Sequence, residues 1–588
     1  MTKRNGRKRS KPGMARTRAY GSRARSARLL ESALGRRDEL LLDAWSDVMD
    51  VLPAELRHAK VVEPQEASQL LSVARVALEG LGATYSQAMG RYAWLFGLRR
   101  VPDDLIAGRL VRAGAYHRRL AETISAMSTV PEYFPEPRSV QHRVPEMSQA
   151  SADALVRMCG LAENLSMVHA ALRRANKGQR VELRRDDLPW VVPDPDLDTA
   201  IELYDQRVDC DSGLPSGTKI LRSIPFFGPL ESAVSLRDCL LYVETLEARQ
   251  RVPAWRGPLG RSPKIKLREG RYFVQAVTIE ISALFESAKF AGSWSPSRLS
   301  SVVLLLRVLF MFAYEADLDI GTSLSTVGYL MLPARTLKDL LAHGITAVSE
   351  KELYLGPIGL PESANRAFGE LSEEVPCLWP LMPGPVVRQA GDMCLVDVSS
   401  ASSLLHELLT IKNHESADLR NARGEHFELH TQDVIDLSPW RPPDSLRKYR
   451  GRTLRLGGRA ITDIDALATV ADVAVLISCK SILHTHESDA GEYKSVRNVK
   501  SLLEESDAKW SSVIEALRRA PVGDNYDFSG YKLVGLVCTP HVEFVDTPQA
   551  RDVFTPDMAG NRIRAVASLS EIMSFIRNNA QHAEIVGL

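Results

Sequence analysis

The chain has 588 residues, of which 45% are hydrophobic and 25% are charged, with a net charge of +1. It is too long for one hydrophobic core, so we expect two to four domains of ordinary globular composition. The most apolar stretch, Val302 to Tyr314, is short and contains Arg307, which predicts a buried helix instead of a membrane span. The seven cysteines form no CxxC pair, which favours a cytoplasmic location and excludes a structural zinc site of that type.

The small net charge conceals a strongly basic N-terminal segment. Residues 1–30 contain eleven Lys or Arg and no acidic residue, so the rest of the chain sums to 1 − 11 = −10. Such a segment cannot bury enough apolar surface to fold alone, which predicts a disordered basic arm. A solubilising tail, a transit peptide and a nucleic-acid contact all fit this composition. The residues predicted to contact phosphates are Lys3, Arg4, Arg7, Lys8, Arg9 and Lys11.

Residues 31–190 are predicted to form a helical domain. Apolar residues recur there at helical spacing, most clearly in Ala67–Leu81 and Asp153–Leu172. The segment Val191 to Pro195 contains two prolines and interrupts this pattern, which indicates a domain boundary.

Residues 191–390 are predicted to form a mixed, mainly helical domain. Helices are expected at Ala233–Ala248 and Ser297–Tyr314, whereas Tyr272–Ser287 fits either a strand or a helix. A Pro-rich segment at Pro376–Pro385 indicates the next boundary.

Residues 391–588 alternate between strand and helix patterns, which predicts an α/β domain of about 190 residues. Its predicted strands are Cys394–Val398, Ala460–Ala468, Val473–Lys480 and Tyr531–Thr539. Its predicted helices are Ser402–Ile411, Asp418–Ile435, Tyr493–Arg519 and Val566–Ile576.

Polar residues collect at one end of the hairpin predicted within this domain. A two-residue turn at Ala471–Asp472 places Asp465 opposite Ser478 and Asp463 opposite Lys480. Side chains alternate along a strand, so these four polar groups share one face. The run before Lys480 is apolar enough for a central strand covered on both faces, which puts charged groups at the tip of a buried strand.

This combination of residues suits phosphodiester hydrolysis. Carboxylates bind Mg²⁺ or Mn²⁺, which polarises a phosphate and activates water. A neighbouring lysine can orient or deprotonate that water, or stabilise charge in the transition state. Glu425 and Glu428, on the preceding helix, are both candidates for a further ligand, and Glu428 is preferred.

The run Arg423-Gly-Glu-His-Phe-Glu428, followed by Asp463-Ile-Asp465 and Lys480, resembles the motif of the PD-(D/E)XK nuclease superfamily. The resemblance covers roughly residues 395–588. It implies a restriction-endonuclease-like domain, with a central mixed sheet flanked by helices. The helical spacing upstream predicts that a mainly α-helical N-terminal region precedes this domain. Glu428, Asp465 and Lys480 match the superfamily's glutamate, aspartate and lysine.

Ser478 departs from that motif, because the superfamily has an acidic residue at this position. Either another carboxylate replaces the missing one and the site is active, or the site has decayed and the domain only binds. The predicted metal ligands are Asp465, Glu428, Asp463 and Glu425, and Lys480 and Ser478 complete the predicted catalytic group.

Two pairs of histidines in this region need an interpretation. His426 and His430 have a zinc-compatible spacing, but the glutamate of a metalloprotease motif is displaced, so two histidines on a solvated helix face are expected. His484 and His486 follow Lys480 and are predicted either to contact phosphate or to lie in a plain loop.

The resulting hypothesis is a Mg²⁺- or Mn²⁺-dependent DNA endonuclease, with restriction, phage defence or DNA repair as settings suggested by the resemblance. A homodimer or a partner protein in a multi-component system is a further expectation. The chain lacks an ATPase motif, so translocation along DNA would need a partner protein. The alternative is a non-catalytic nucleic-acid-binding or scaffold protein.

Overall fold

The protein is a mixed α/β structure in which helices predominate and the strands form several small sheets. The computed structural model describes residues 28–99, 114–132, 147–185, 187–210, 220–225, 239–245, 272–279, 296–315, 320, 323–324, 327–350, 360–372, 384–410, 417–482, 492–545 and 563–579. No helix of these ranges is both long enough and apolar enough to cross a bilayer.

The N-terminal region is helical, as predicted, and also contains a small antiparallel sheet. Its helices pack around one core that includes Leu71, Trp94 and Leu165. Trp190–Val191 is the last strand of the sheet, so the predicted boundary begins inside this unit. The helices are α1 (Arg37–Val51), α2 (Pro64–Ser86), α3 (Arg91–Leu98), α4 (Gly114–Ser125) and α5 (Gln149–Asn176), and the strands are β1 (Lys60–Val62), β2 (Val181–Leu183) and β3 (Trp190–Val191).

Helix α6 (Pro195–Cys210) follows this boundary and contacts the C-terminal region. Leu197 and Ile201 pack with Phe544, and the guanidinium of Arg207 donates to both carboxylate oxygens of Glu571 at 2.7 and 2.9 Å. The helix therefore docks on the C-terminal region, although the sequence places it in the middle domain.

The middle region contains two three-stranded antiparallel sheets packed with helices in one core. Cys239–Thr245 is a strand, so the helix predicted at Ala233–Ala248 is wrong across these residues. Its elements are β4 (Ile220–Pro225), β5 (Cys239–Thr245), β6 (Tyr272–Ile279), α7 (Pro296–Glu315), β7 (Tyr329–Pro333), α8 (Ala334–Glu350), α9 (Ala364–Ser372), β8 (Val387–Ala390), β9 (Met393–Asp397) and α10 (Val398–Thr410).

The boundary predicted at residue 390 lies too early. Val396 in β9 and Leu404 in α10 are buried in the middle core, and β9 pairs with both β7 and β8. The C-terminal region therefore begins after Thr410.

The C-terminal region is a four-stranded mixed sheet between helices. Strand β13 pairs antiparallel with β12 and parallel with β14, which pairs parallel with β15. The elements are α11 (Ala417–Asp436), α12 (Asp444–Arg447), β10 (Thr453–Leu456), β11 (Arg459–Asp463), β12 (Ala466–Val470), β13 (Val473–Cys479), α13 (Tyr493–Arg519), β14 (Lys532–Thr539), β15 (Val566–Ser568) and α14 (Leu569–Asn578).

The two faces of this sheet are covered by different helices. Helices α11 and α14 pack on one face, through residues such as Phe427 and Phe575. Helix α13 covers the other face with Leu503, Trp510 and Ile514, which recur at helical spacing. Every residue of β13 is buried, as expected for a central strand.

The last helix begins three residues later than the sequence predicts. Ser568 accepts a hydrogen bond from the backbone N–H of Glu571, whose carboxylate accepts one from the N–H of Ser568. This capping box fixes the start of α14 at Leu569, so Val566–Ser568 is free to pair with β14 as a strand.

Candidate functional site

The hairpin β12–β13 has the register that the sequence predicts. Ala466 pairs with Ile477 and Val470 with Val473, with Ala471 and Asp472 as the turn. Ala471 has a φ of 49°, the left-handed conformation that tight two-residue hairpin turns favour. The extension of this register brings Asp465 beside Ser478, where the paired strands end.

Asp465 directly precedes β12 and turns its carboxylate toward β13. Its Oδ2 accepts a hydrogen bond from the N–H of Cys479 at 2.7 Å and one from the hydroxyl of Ser478 at 3.4 Å. Burial raises the pKa of Asp465 above its ordinary value, and the hydrogen bond from Cys479 opposes that rise. Bringing a cation to this carboxylate would therefore relieve a desolvation penalty.

Lys480 lies directly after β13, and both its backbone N–H and its side-chain ammonium are hydrogen bonded. Its backbone N–H donates to the carbonyl of Cys538 on β14 at 2.8 Å. Its Nζ donates to the Ser478 hydroxyl at 2.9 Å and to the Cys479 carbonyl at 3.3 Å. Ser478 therefore lies between the lysine and Asp465 and hydrogen bonds to both.

Asp463 does not face Lys480 across the hairpin, so that predicted pairing is wrong. It belongs to β11, where it pairs with Thr453 of β10, and its side chain is exposed. The strand predicted at Ala460–Ala468 is divided at Ile464, which is buried in the core beneath α13. The charge of Asp463 still contributes to the raised pKa of Asp465, so the two carboxylates remain neighbours.

Glu428 reaches the site because α11 is fixed along the edge strand β12. The side-chain amide of Gln432 donates to the carbonyl of Leu467 at 3.2 Å, and its oxygen accepts from the N–H of Leu467 at 2.8 Å. Four helical residues advance about 6 Å and two strand residues about 6.6 Å. Glu428, one turn before Gln432, therefore comes alongside Asp465, two residues before Leu467.

The electrostatics of Glu428 agree with this placement. Burial raises the pKa of its carboxyl, the charge of Asp465 raises it further, and Lys480 opposes both. Glu425 is exposed and adds a smaller repulsion, as does Asp463. The predicted residues of the C-terminal motif thus meet around one half-buried position.

Gln432 is the residue that sequence reasoning missed. A glutamine four residues after Glu428 shares its helix face, and this one is only 1% exposed. A polar residue on a helix face that must pack against a strand is the one signal in the sequence that could have indicated it.

The donor set is compatible with Mg²⁺, although it is small. Within the ranges that the structure describes, no group of three or more His, Cys, Asp or Glu is arranged to hold a metal ion. Asp465 and Glu428 supply two carboxylates, and Mg²⁺ commonly binds through one or two carboxylates while water and substrate phosphates complete its shell. The pKa values of Asp465 and Glu428 are both raised, as expected for two neighbouring half-buried carboxylates.

The remaining predicted residues are either not part of this group or not described. His426 and His430 stack with ring centroids 6.4 Å apart on α11, and they belong to no metal-binding group of the described residues. His484 and His486 lie outside the described residues, as does the basic arm with Lys3, Arg4, Arg7, Lys8, Arg9 and Lys11.

Comparison with known proteins adds nothing to this geometry: no protein family, curated protein or solved structure matches the chain.

Proposed function

We propose that the protein is a divalent-metal-dependent nuclease that hydrolyses phosphodiester bonds in DNA, with its catalytic site in the C-terminal region. The observation that carries the proposal is the meeting of Glu428, Asp465, Ser478 and Lys480, which come from a helix and two strand ends. The resemblance to the PD-(D/E)XK superfamily supports it, because three of these four residues match that motif.

The carboxylates would hold the metal ion. Oδ2 of Asp465 is engaged by Cys479 and Ser478, which leaves Oδ1 for the ion beside Glu428. A bound Mg²⁺ or Mn²⁺ would polarise the scissile phosphate and would make the attacking water more acidic. Asp463 and Glu425 are exposed nearby, and they add negative potential that attracts the cation.

Lys480 would act on the phosphate or on the attacking water. An ammonium has three donors, and the hydrogen bonds to Ser478 and Cys479 use two of them. The third is available to orient water or to stabilise negative charge on a phosphate oxygen in the transition state. Ser478 is therefore a positioning residue, which holds the ammonium near Asp465 without neutralising either group.

A cleavage assay on duplex DNA with Mg²⁺ or Mn²⁺ tests the proposal. Removing one preorganised group from such a site costs roughly 10²–10³-fold in rate, so Asp465→Ala and Lys480→Ala should both lose cleavage by about this factor. Asp472 and Lys532 form an exposed ion pair of 3.2 Å at the opposite end of the same strands. Asp472→Ala and Lys532→Ala are therefore matched controls and should cleave like the unaltered protein. Equal cleavage by all five proteins would overturn the nuclease proposal.

A second candidate is a decayed nuclease domain that only binds nucleic acid or serves as a scaffold. The hydroxyl of Ser478 favours it, because a neutral oxygen replaces a carboxylate beside Lys480. In that case DNA binding would depend on salt, would survive Asp465→Ala and Lys480→Ala, and would be lost on removal of residues 1–28. Metal-dependent cleavage that both substitutions abolish would exclude this candidate.

By resemblance alone, we propose restriction, phage defence or DNA repair as the setting, with a homodimer or a partner protein as the assembly.

A further inference from the structure

Positive charge is concentrated in the segment that leads into the site. Residues 441–459 contain seven Lys or Arg and one acidic residue, in a chain whose net charge is only +1. Arg455 and Arg459 lie on the two-stranded ribbon formed by β10, the Gly457–Gly458 turn and β11, and Arg452 directly precedes it. We call residues 452–463 the basic hairpin.

The arginines of the basic hairpin are exposed and are not neutralised. Arg452, Arg455 and Arg459 form no ion pair with a carboxylate of the described residues. Arg447 differs, because it donates to Asp436 at 2.5 Å and lies near Asp444. Three exposed guanidinium groups outnumber the two neighbouring carboxylates, Asp463 on β11 and Asp524 at the turn, so the hairpin keeps a net positive charge that would attract an anionic ligand.

The hairpin is held rigidly although it projects into solvent. The carboxylate of Asp524 accepts from the N–H groups of Gly457 and Gly458 at 3.0 and 2.6 Å. Asn525 accepts from the N–H of Arg455 and donates to the carbonyl of Thr453. A basic loop that serves only solubility needs no such anchoring, whereas a binding element loses less conformational entropy if it is preorganised.

The hairpin is also aligned with the candidate catalytic site. Thr453 pairs with Asp463, and Arg455 lies two residues further along β10 toward the tip. Alternate residues of a strand share a face, so Arg455 follows Thr453 on the face that Asp463 also uses. The register shifts between Leu454 and Arg455, and Arg459 pairs with Leu456, so Arg459 projects from the other face of the ribbon. A polyanion held by Arg455 would lie on the face of Asp463, two residues before Asp465 in the chain.

We propose that the basic hairpin binds the phosphate backbone of duplex DNA and guides it into the candidate site; this inference rests on the proposed nuclease function. A two-stranded ribbon has dimensions that suit a duplex groove. Single-strand binding usually needs exposed aromatic side chains for base stacking. The two aromatic residues between positions 440 and 463, Trp440 and Tyr449, are both buried, which favours a duplex.

Fluorescence anisotropy with a 30-base-pair duplex tests the proposal in the full-length protein. The titrations contain EDTA, so that the result does not depend on catalysis, and they are repeated across a range of NaCl concentrations. Each lost phosphate contact lowers the slope of log K against log salt by about 0.9. The variant Arg452→Gln/Arg455→Gln/Arg459→Gln should therefore lose between two and three units of slope and bind at least about tenfold more weakly at 0.1 M salt.

Two further variants separate the hairpin from general charge effects. Replacing the exposed cations Arg180, Arg185 and Arg335 by glutamine removes the same charge elsewhere and should leave the slope unchanged. Replacing the three hairpin arginines by lysine keeps the charge and should retain most of the affinity. An unchanged slope in the hairpin glutamine variant, or an equal loss in the control, would overturn the proposal.

The test also distinguishes this proposal from the nuclease proposal. If hairpin substitutions weaken binding in EDTA while Asp465→Ala has no effect on cleavage, the hairpin binds DNA as proposed, but its guiding role fails together with the nuclease proposal. If Asp465→Ala abolishes cleavage while the hairpin glutamine variant binds normally, only the hairpin proposal fails. Tighter binding to single-stranded DNA, to RNA or to poly-glutamate than to the duplex would overturn the assignment of the ligand.

Discussion

The hydroxyl at position 478 determines how Lys480 and Asp465 interact. An acidic residue there would form an ion pair with the ammonium and would repel Asp465 and Glu428. Serine instead hydrogen bonds to both Lys480 and Asp465, so it connects the two charges without adding a third. The cost is a smaller negative charge for a cation, since only two carboxylates meet at the centre of the site.

If the site binds a metal ion as proposed, introducing a carboxylate at this position should strengthen that binding. We expect Ser478→Asp to bind Mg²⁺ about tenfold more tightly or better, because the affinity of carboxylate sites rises with the number of ligand charges. Without metal the variant should be less stable, because its new charge joins two carboxylates whose pKa values are already raised. Calorimetric titration with Mg²⁺ and thermal unfolding in EDTA measure the two effects.

Ser478→Ala is the control, because it removes the hydroxyl without adding charge. It should leave Mg²⁺ affinity nearly unchanged while disturbing the hydrogen bond to Lys480. Equal Mg²⁺ affinity in Ser478→Asp and Ser478→Ala would show that this position does not face the cation.

For individual residues, the alternation of side chains along a strand was enough to predict some contacts but not others. Asp465 and Ser478 are neighbours as predicted, because side chains alternate strictly across a two-residue hairpin. Gln432 was not predictable in this way, because its role depends on which strand the helix packs against. Asp463 was misplaced because parity cannot reveal that the chain leaves one ribbon and enters another at Ile464.

Among the elements, α13 and β14 pack so closely that one methyl group should matter. A Cβ added at Gly535 would come within 2.6 Å of Ile514 Cγ1 and 2.9 Å of Trp510 Cδ1. Overpacking of this kind costs about 1–3 kcal/mol. We therefore expect Gly535→Ala to lower the free energy of opening of the β14 amides by this amount, as measured by native-state hydrogen exchange.

Gly424 in α11 provides the matched control for this substitution. A Cβ there would have no neighbour within 4 Å. Replacing an unhindered helical glycine by alanine stabilises a protein by about 0.4–1 kcal/mol. Loss of protection in Gly424→Ala, or unchanged protection of β14 in Gly535→Ala, would contradict the packing argument.

The success of element prediction followed the strength of the local pattern. Helix Tyr493–Arg519 has the predicted bounds, because its apolar residues recur regularly over 27 residues. Strand Cys239–Thr245 was predicted as a helix, because its apolar residues form a short run that fits both periods. Pairing with β6 decides the outcome there, and that partner lies some 30 residues away in the sequence.

For the whole molecule, ion pairs and hydrogen bonds between residues far apart in the sequence join the regions, besides apolar contacts such as those of Tyr92 and Leu95 with Tyr329. Arg207 of α6 pairs with Glu571 in the C-terminal region, and Arg99 joins the N-terminal helices to Asp397 in the middle region. Arg388 of the middle region donates to the carbonyl of Ser128. No local pattern indicates such pairs, because the partners are separated by 260 to 364 residues along the chain. The sequence therefore predicted the character of each region better than its limits or its contacts.

The pair of Arg99 and Asp397 offers a test of how firmly the first two regions are joined. The guanidinium donates to both carboxylate oxygens at 3.0 and 2.9 Å, and also to Glu122 and to the Val327 carbonyl. Arg99 is 2% exposed and Asp397 is 1% exposed. Breaking a buried ion pair by removing one partner costs about 3–5 kcal/mol. Loss of the Asp397 charge would leave Arg99 in an ion pair with Glu122 alone and would remove the carboxylate that lies 3.6 Å from buried Arg91.

We expect Asp397→Asn to lose this much stability at pH 7, as measured by urea denaturation. The exposed pair of Arg36 and Asp153 gives the control, and Asp153→Asn should cost at most about 1 kcal/mol.

Burial alone would raise the pKa of Asp397, but the charges of Arg99 and Arg91 outweigh it and hold the pKa below its ordinary value. The carboxylate therefore stabilises the fold at every pH above its unfolded pKa, about 3.9, and this contribution disappears as the pH falls through the lower folded value. The difference between Asp397→Asn and the unaltered protein should consequently shrink in acid, and a difference that is constant from pH 7 to pH 3 would show that the charge of Asp397 does not join the two regions.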